Sequence, residues 1–175
     1  TIVMGVLEIV VFAIMSRLLS KSDFGYFAAL MGIVAVFQSL SEAGLGSAII
    51  QRKGENPKHL STAFTLSCLL GLMGTSIVFV LAPVLATLIA DETLTLPLRI
   101  MSFTILLNAI ISVGNAQLYK ALKFKRVGDI QSISYLLSSG IGIIMAFCDC
   151  GLLSIVTYTV LNSTFIFLLF TNLNI

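Results

Sequence analysis

Charge is nearly missing from long tracts of this chain, and that limits its fold more than any other feature. Residues 60–90 contain no Asp, Glu, Lys or Arg, and neither do residues 100–119 or 130–148. An α-helix of about 20 apolar residues crosses a hydrocarbon core of roughly 30 Å. Lipid offers the backbone no partners, so only helices and closed barrels span it, and a barrel strand is only about 10 residues long. Helices are the solution these runs allow. Charged residues make up 10% of the 175 and hydrophobic ones 58%, against about 25% charged in soluble domains. Too little polar surface is left to cover a water-facing core. The expectation is an all-α membrane protein of about six transmembrane helices.

The segments are predicted at about 2–19, 24–50, 61–90, 97–119, 130–147 and 152–170. Ser20-Lys21-Ser22-Asp23 is a polar turn, with Ser22 or Asp23 as the expected N-cap of the second helix. Gly54, Asn56 and Pro57 break the chain before the third helix, which carries Pro83 near its far end. Asp91-Glu92-Thr93 closes that helix, and Pro97 suits a first turn. A basic loop follows the fourth helix, and Cys148-Asp149-Cys150-Gly151 makes a tight turn into the sixth. The chain opens at Thr1 inside an apolar run, with no initiator Met and no basic leader, and reads as a piece of a longer protein.

Consecutive segments alternate sides. One face then carries Arg52, Lys53, Lys58, Lys120, Lys123, Lys125 and Arg126, the other Arg17, Lys21 and Arg99. By the positive-inside rule the first face is cytoplasmic, and so are both chain ends.

Several function classes lose support here. A net charge of +2 is too small to argue for nucleic acid. Cys68, Cys148 and Cys150 make no disulfide framework, and the single histidine, His59, belongs to the opposite membrane face from the C-x-C pair. No metal site, cofactor motif, nucleophile elbow or phosphate-binding loop is visible, which argues against an enzyme. Ionisable and amide groups inside the membrane are therefore the functional candidates. Glu8 lies near the middle of the first segment. On the second, Ala28, Gly32, Ala35, Ser39, Glu42 and Gly46 share one small, polar helical face, bordered by Gln38. The fourth segment carries Asn108, Asn115 and Gln117, the sixth Asn162. Arg17 either meets an acidic lipid-linked group from the outer face or reaches toward headgroups. Ser138, Gly142 and Ala146 form a small-residue ladder suited to helix packing.

Three stretches carry a resemblance. Arg17-Leu18-Leu19-Ser20-Lys21-Ser22-Asp23-Phe24-Gly25 resembles an R-L-L-x-x-x-D-F-G signature. Glu42-Ala43-Gly44-Leu45-Gly46-Ser47-Ala48-Ile49-Ile50-Gln51-Arg52 is similar to D-L-G-L-x-x-A-L-I-Q-R, with Glu for Asp. The third begins at His59-Leu60-Ser61-Thr62-Ala63-Phe64-Thr65-Leu66, and its later part, Leu118 to Lys125, resembles L-x-R-x-L-x-F-K with Lys120 in place of Arg. These are motifs of the polysaccharide transporter branch of the multidrug/oligosaccharidyl-lipid/polysaccharide flippase superfamily, the O-antigen and exopolysaccharide flippases.

The resemblance implies two six-helix lobes, twelve or more helices in all, around a central cavity, of which residues 1–175 would be the N-terminal one. It implies alternating access for an undecaprenyl-pyrophosphate-linked oligosaccharide in the bacterial inner membrane. Membrane lipids, a coupling cation (H+ or Na+) and polysaccharide-assembly proteins are the further partners it suggests. Its motif residues here are Arg17, Asp23, Phe24, Gly25, Glu42, Gly44, Leu45, Gly46, Gln51 and Arg52. The competing readings are a cation-coupled multidrug exporter of the same superfamily and a non-transporting scaffold for glycosyltransferases.

Overall fold

A computed structural model describes residues 2–42, 57–89 and 91–172. Six α-helices and one 3-10 turn make up these residues, with no strand among them. They are α1 (Ile2–Leu18), α2 (Lys21–Glu42), α3 (Pro57–Leu88), the 3-10 turn Glu92–Leu94, α4 (Thr95–Lys120), α5 (Phe124–Phe147) and α6 (Leu152–Asn172). Five of them, α2 to α6, are long and apolar enough to cross a membrane. The 17 residues of α1 rise about 26 Å, a little under the hydrocarbon thickness.

The helix ends sit where backbone hydrogen bonding puts them, and hydropathy alone does not locate them. The second helix starts at Lys21 because Ser20, rather than Ser22 or Asp23, caps it. Ser20 Oγ accepts from the Asp23 N–H at 3.2 Å, and Asp23 Oδ2 accepts from the Ser20 N–H at 3.2 Å and its hydroxyl at 2.6 Å. Two otherwise orphaned donors are satisfied reciprocally. The fifth helix begins at Phe124, six residues before the apolar run does, so Lys125 and Arg126 lie in its first turn. The connection from α4 is correspondingly short. Leu122 turns left-handed at φ 56°, and the Lys123 and Leu122 N–H groups reach back to the carbonyls of Leu118 and Tyr119. The same closure ends α5, with Asp149 at φ 56° and Cys150 bonded back to Met145.

Side chains on the bundle's outside are large and apolar: Leu88 is 77% exposed, Val80 71% and Phe147 69%. Such a belt would be an aggregation surface in water, and it suits lipid. Inside, α4 is the central helix. Leu98, Met101 and Ile105 pack with Leu30 and Val34 of α2, with Val78, Ala82 and Ala86 of α3, and with Val156 of α6. A second cluster joins Val11 and Met15 of α1 to Tyr135 and Ala146 of α5 and Ile155 of α6.

Small residues set how closely the helices approach. A Cβ added at Gly71 would lie 2.9 Å from Ala109 Cβ, and one at Gly142 would lie 2.8 Å from Tyr158 Cβ. Without a hydrophobic drive between helices in lipid, such contacts and interhelical hydrogen bonds supply the association energy. Ser41 Oγ donates to the Leu70 carbonyl at 3.2 Å, and Thr75 Oγ1 donates to that of Ser102 at 3.1 Å.

The three turns at one end of the bundle meet. A Cβ on Gly151, in the α5–α6 turn, would lie 3.7 Å from the Asp23 carboxylate of the α1–α2 turn. Tyr26, one turn into α2, hydrogen-bonds Asp91 of the α3–α4 connection. The up-down alternation used for the charge comparison is thus the one the fold adopts.

Candidate functional site: a mid-depth cavity and an interhelical amide node

Between α1, α2, α5 and α6 lies a cavity of about 1000 Å³. Its apolar walls come chiefly from Val11, Phe12 and Met15 of α1 and from Phe24, Phe27 and Met31 of α2. Phe12 and Phe24 meet edge to face, with ring centroids 5.6 Å apart. The polar groups are Glu8 of α1, Gln131 and Tyr135 of α5, and Tyr158 and Asn162 of α6. Tyr135 and Tyr158 also meet edge to face at 5.8 Å. Their hydroxyls share a hydrogen bond, and Glu8 lies near enough to act on both electrostatically. Each pair, Gln131 with Tyr135 and Tyr158 with Asn162, stands four residues apart and so presents one helix face.

Depth follows from the helix rise of about 1.5 Å per residue. Glu8 is ten residues from the end of α1, Tyr135 twelve from the end of α5, and Asn162 ten from the start of α6. All three ends lie on the same side of the bundle, so these groups sit roughly 15–18 Å in, at mid-bilayer.

A second polar cluster lies outside the cavity. Asn108 Nδ2 of α4 donates to Gln38 Oε1 of α2 at 3.3 Å, and Ser163 Oγ of α6 donates to Asn108 Oδ1 at 3.1 Å. This node ties three helices together with paired amide groups, as low-dielectric surroundings demand. The cavity and the node adjoin through α6, since Asn162 faces one and Ser163 the other. Asn162 Oδ1 also accepts from Ser138 Oγ at 3.5 Å.

The residues singled out from sequence are therefore distributed over several places. Glu8 lines the cavity, while Gln38 and Asn108 bond to each other in the node. Asn115 lies on α4 with its Oδ1 buried and without a hydrogen-bond partner. Arg17 is exposed in the last turn of α1 and lines no part of the cavity. Nine residues separate it from Glu8, which at 100° per residue puts it on the opposite side of the helix. Asp23 is the reciprocal partner of the Ser20 cap in the first turn of α2, Phe24 forms part of the cavity wall, and Gly25 is exposed with open space where a Cβ would stand. Glu42 is the last residue of α2; its side chain, and Gly44, Leu45, Gly46, Gln51 and Arg52, lie outside the described residues. Sequence reasoning missed Gln131, Tyr135 and Tyr158. The available signal was the paired four-residue spacing on α5 and α6.

At the end of the bundle where the three turns meet, Asp91 Oδ1 accepts from the Thr93 hydroxyl at 2.6 Å and its N–H at 3.0 Å. These bonds hold the Asp91 carboxyl below its ordinary range. On the outside of the bundle Arg99 lies over the Phe79 ring, 5.1 Å from its centroid. Among the described residues no cluster of three or more His, Cys, Asp or Glu is placed to hold a metal ion.

A family model described as "Polysaccharide biosynthesis protein" matches residues 14–174. The chain belongs to that family. With five helices able to span a bilayer, it is a multi-pass membrane protein. It is 27% identical over 165 residues to the teichuronic acid biosynthesis protein TuaB of Bacillus subtilis, covering 94% of this chain and 34% of that one. Identity to the succinoglycan biosynthesis transport protein ExoT of Rhizobium meliloti is 29% over 149 residues, covering 85% and 30%. The lipopolysaccharide biosynthesis protein WzxC of Escherichia coli is 25% identical over 136 residues, covering 78% and 28%. The chain thus spans about a third of the length of these relatives. No solved structure gives a significant match.

Proposed function

We propose that the chain is one lobe of a two-lobe transporter, residues 1–175 being the N-terminal one. The transporter moves an undecaprenyl-pyrophosphate-linked oligosaccharide across the bacterial inner membrane. The observation that carries this reading is the family match over nearly the whole chain, joined to a bundle that keeps polar groups at mid-bilayer depth. Transporters hold substrate and coupling-ion sites near that depth, between parts that move against each other. Both chain ends are cytoplasmic in this account, because the basic residues gather on that side. The protein works as a carrier without enzymatic chemistry, and lipid-linked oligosaccharide, membrane lipids and polysaccharide-assembly proteins are its partners.

Exposed Arg17 stands at the outer end of α1 as a counter-charge for the pyrophosphate, and Glu42 stands at the inner end of α2. The test replaces each by glutamine in the complete gene product and measures surface polysaccharide in cells lacking their own copy. Export falls in both variants if the assignment holds. Unchanged polymer at normal protein levels in both sinks the role given to these two residues.

One observation favours a second reading. Among the described residues Glu8 is the only charged side chain lining the cavity, as a cation-coupled exporter would require. Efflux of a cationic dye that depends on a proton or sodium gradient, with no effect on polysaccharide, would select it.

A further inference from the structure

We infer that the cavity among α1, α2, α5 and α6 is a carbohydrate subsite, taking the uncharged sugar rings of the cargo and turning anionic groups away. The inference rests on the transporter reading above and adds which part of the cargo goes where.

The chemistry of the lining decides between occupants. A pyranose ring has an apolar face of C–H groups and an edge of hydroxyls. The cavity offers the matching pair of surfaces. Phe12, Phe24 and Phe27 make an aromatic wall, and Glu8, Gln131 and Asn162 supply carboxylate and amide groups that accept and donate hydrogen bonds. Pockets that select polar ligands have this composition, mostly apolar with a few convergent polar groups.

A polyprenyl chain fits the apolar wall and fails at the other side. It would take water from a carboxylate and two amides and return no hydrogen bond.

The pyrophosphate fails for a different reason. Among the described residues no Lys or Arg lines the cavity and Glu8 is its one charge, while Arg17 points away on the far side of α1. A phosphate oxyanion brought beside the Glu8 carboxylate meets like charge, and no lysine or arginine among the described lining residues offsets it. Uronic acids meet the same repulsion. The head and the sugars of one cargo molecule are therefore held in different places: the sugars at mid-depth by α1, α2, α5 and α6, and the pyrophosphate elsewhere.

The test uses the complete gene product in lipid nanodiscs and three probes. They are farnesyl pyrophosphate, the same molecule bearing a neutral disaccharide, and the same bearing a disaccharide that ends in a uronic acid. A neutral disaccharide should tighten binding by about tenfold or more over the bare pyrophosphate, as sites built to bond hydroxyls discriminate strongly. The uronic probe should gain nothing. Asn162→Ala and Gln131→Ala should each remove most of the neutral-sugar gain while leaving the bare pyrophosphate affinity unchanged, which also reports that the variants are folded. Glu8→Gln should let the uronic probe bind like the neutral one.

The inference is overturned if the neutral disaccharide adds no affinity, or if both alanine variants keep the gain. It is also overturned if Glu8→Gln abolishes a sodium or proton dependence while leaving the sugar preference untouched. Failure of all three probes to bind would remove the transporter reading along with it; equal binding of all three removes the subsite alone.

Discussion

Gly142 is the position where the packing is tight enough to work out what one methyl group does. It faces α6 from the C-terminal third of α5, and an added Cβ would lie 2.8 Å from Tyr158 Cβ and 3.0 Å from Met15 Cε. Carbon pairs prefer about 3.5–4.0 Å. Met15 Cε is the end of a flexible chain and can move. Tyr158 Cβ is the root of its side chain, so relief requires α6 itself to shift by several tenths of an ångström. Such overpacking costs about 1–3 kcal/mol, set against a gain of up to about 1 kcal/mol from removing a mid-helix glycine.

Gly142→Ala should therefore be destabilising by about 0.5–2 kcal/mol. Gly140 is the matched control, two residues away on the same helix with nothing within 4 Å of an added Cβ. Gly140→Ala should be neutral or slightly stabilising. The assay is the thermal midpoint of each variant of the complete gene product, followed by fluorescence-detected size exclusion in detergent. A Gly142→Ala midpoint equal to or above that of Gly140→Ala would refute the helix spacing argued here. Because Tyr158 and Met15 both line the cavity, the same substitution should also weaken whatever binds there.

Three further expectations concern the polar groups. In the amide node, Asn108→Ala and Ser163→Ala should be non-additive, with a coupling of about 0.5–1.5 kcal/mol in a double-mutant cycle read by thermal or SDS unfolding; strict additivity contradicts the shared hydrogen bond. Ser20→Ala removes the cap of α2 and should cost about 1 kcal/mol, with faster amide exchange confined to the first turn of that helix; unchanged exchange there refutes the cap. Asp91 has its carboxyl pKa depressed by Thr93, so its contribution to the α3–α4 turn is complete above the unfolded value of 3.8 and is lost as pH falls through the lower folded value. Thr93→Val should move the Asp91 titration, followed by carboxyl NMR, back up toward 3.8; an unmoved titration contradicts that cause.

Much of the fold was legible because a bilayer leaves so few options. Apolar runs of the right length had to be helices, and charge asymmetry needed only their alternation. Helix ends were less legible. Hydropathy sees where a chain leaves the hydrocarbon, and α5 starts six residues earlier, carrying its basic residues into the first helical turn. Ser20 was passed over as a cap because the signal is reciprocal and depends on Asp23 three residues on, a relation that a scan for single capping residues misses. The site was only partly legible. Glu8 stood out as an acid in an apolar helix, but Tyr135 and Tyr158 read as ordinary apolar residues until packing brought them to face it. Gln38 and Asn108 were each visible as polar residues inside a helix. That they satisfy one another is a fact about helix packing across 70 residues of sequence, which no local pattern encodes.

Translocation itself is the most direct test of the central claim. The complete gene product would be reconstituted into liposomes carrying a fluorescent, undecaprenyl-pyrophosphate-linked oligosaccharide, and a membrane-impermeant glycan-modifying reagent would be added outside. In protein-free liposomes about half of the label is accessible, because the inner leaflet is shielded. The protein should make nearly all of it accessible, and Asn162→Ala should slow this without affecting reconstitution. Accessibility that stays at the protein-free level, with the protein correctly folded and inserted, would contradict it.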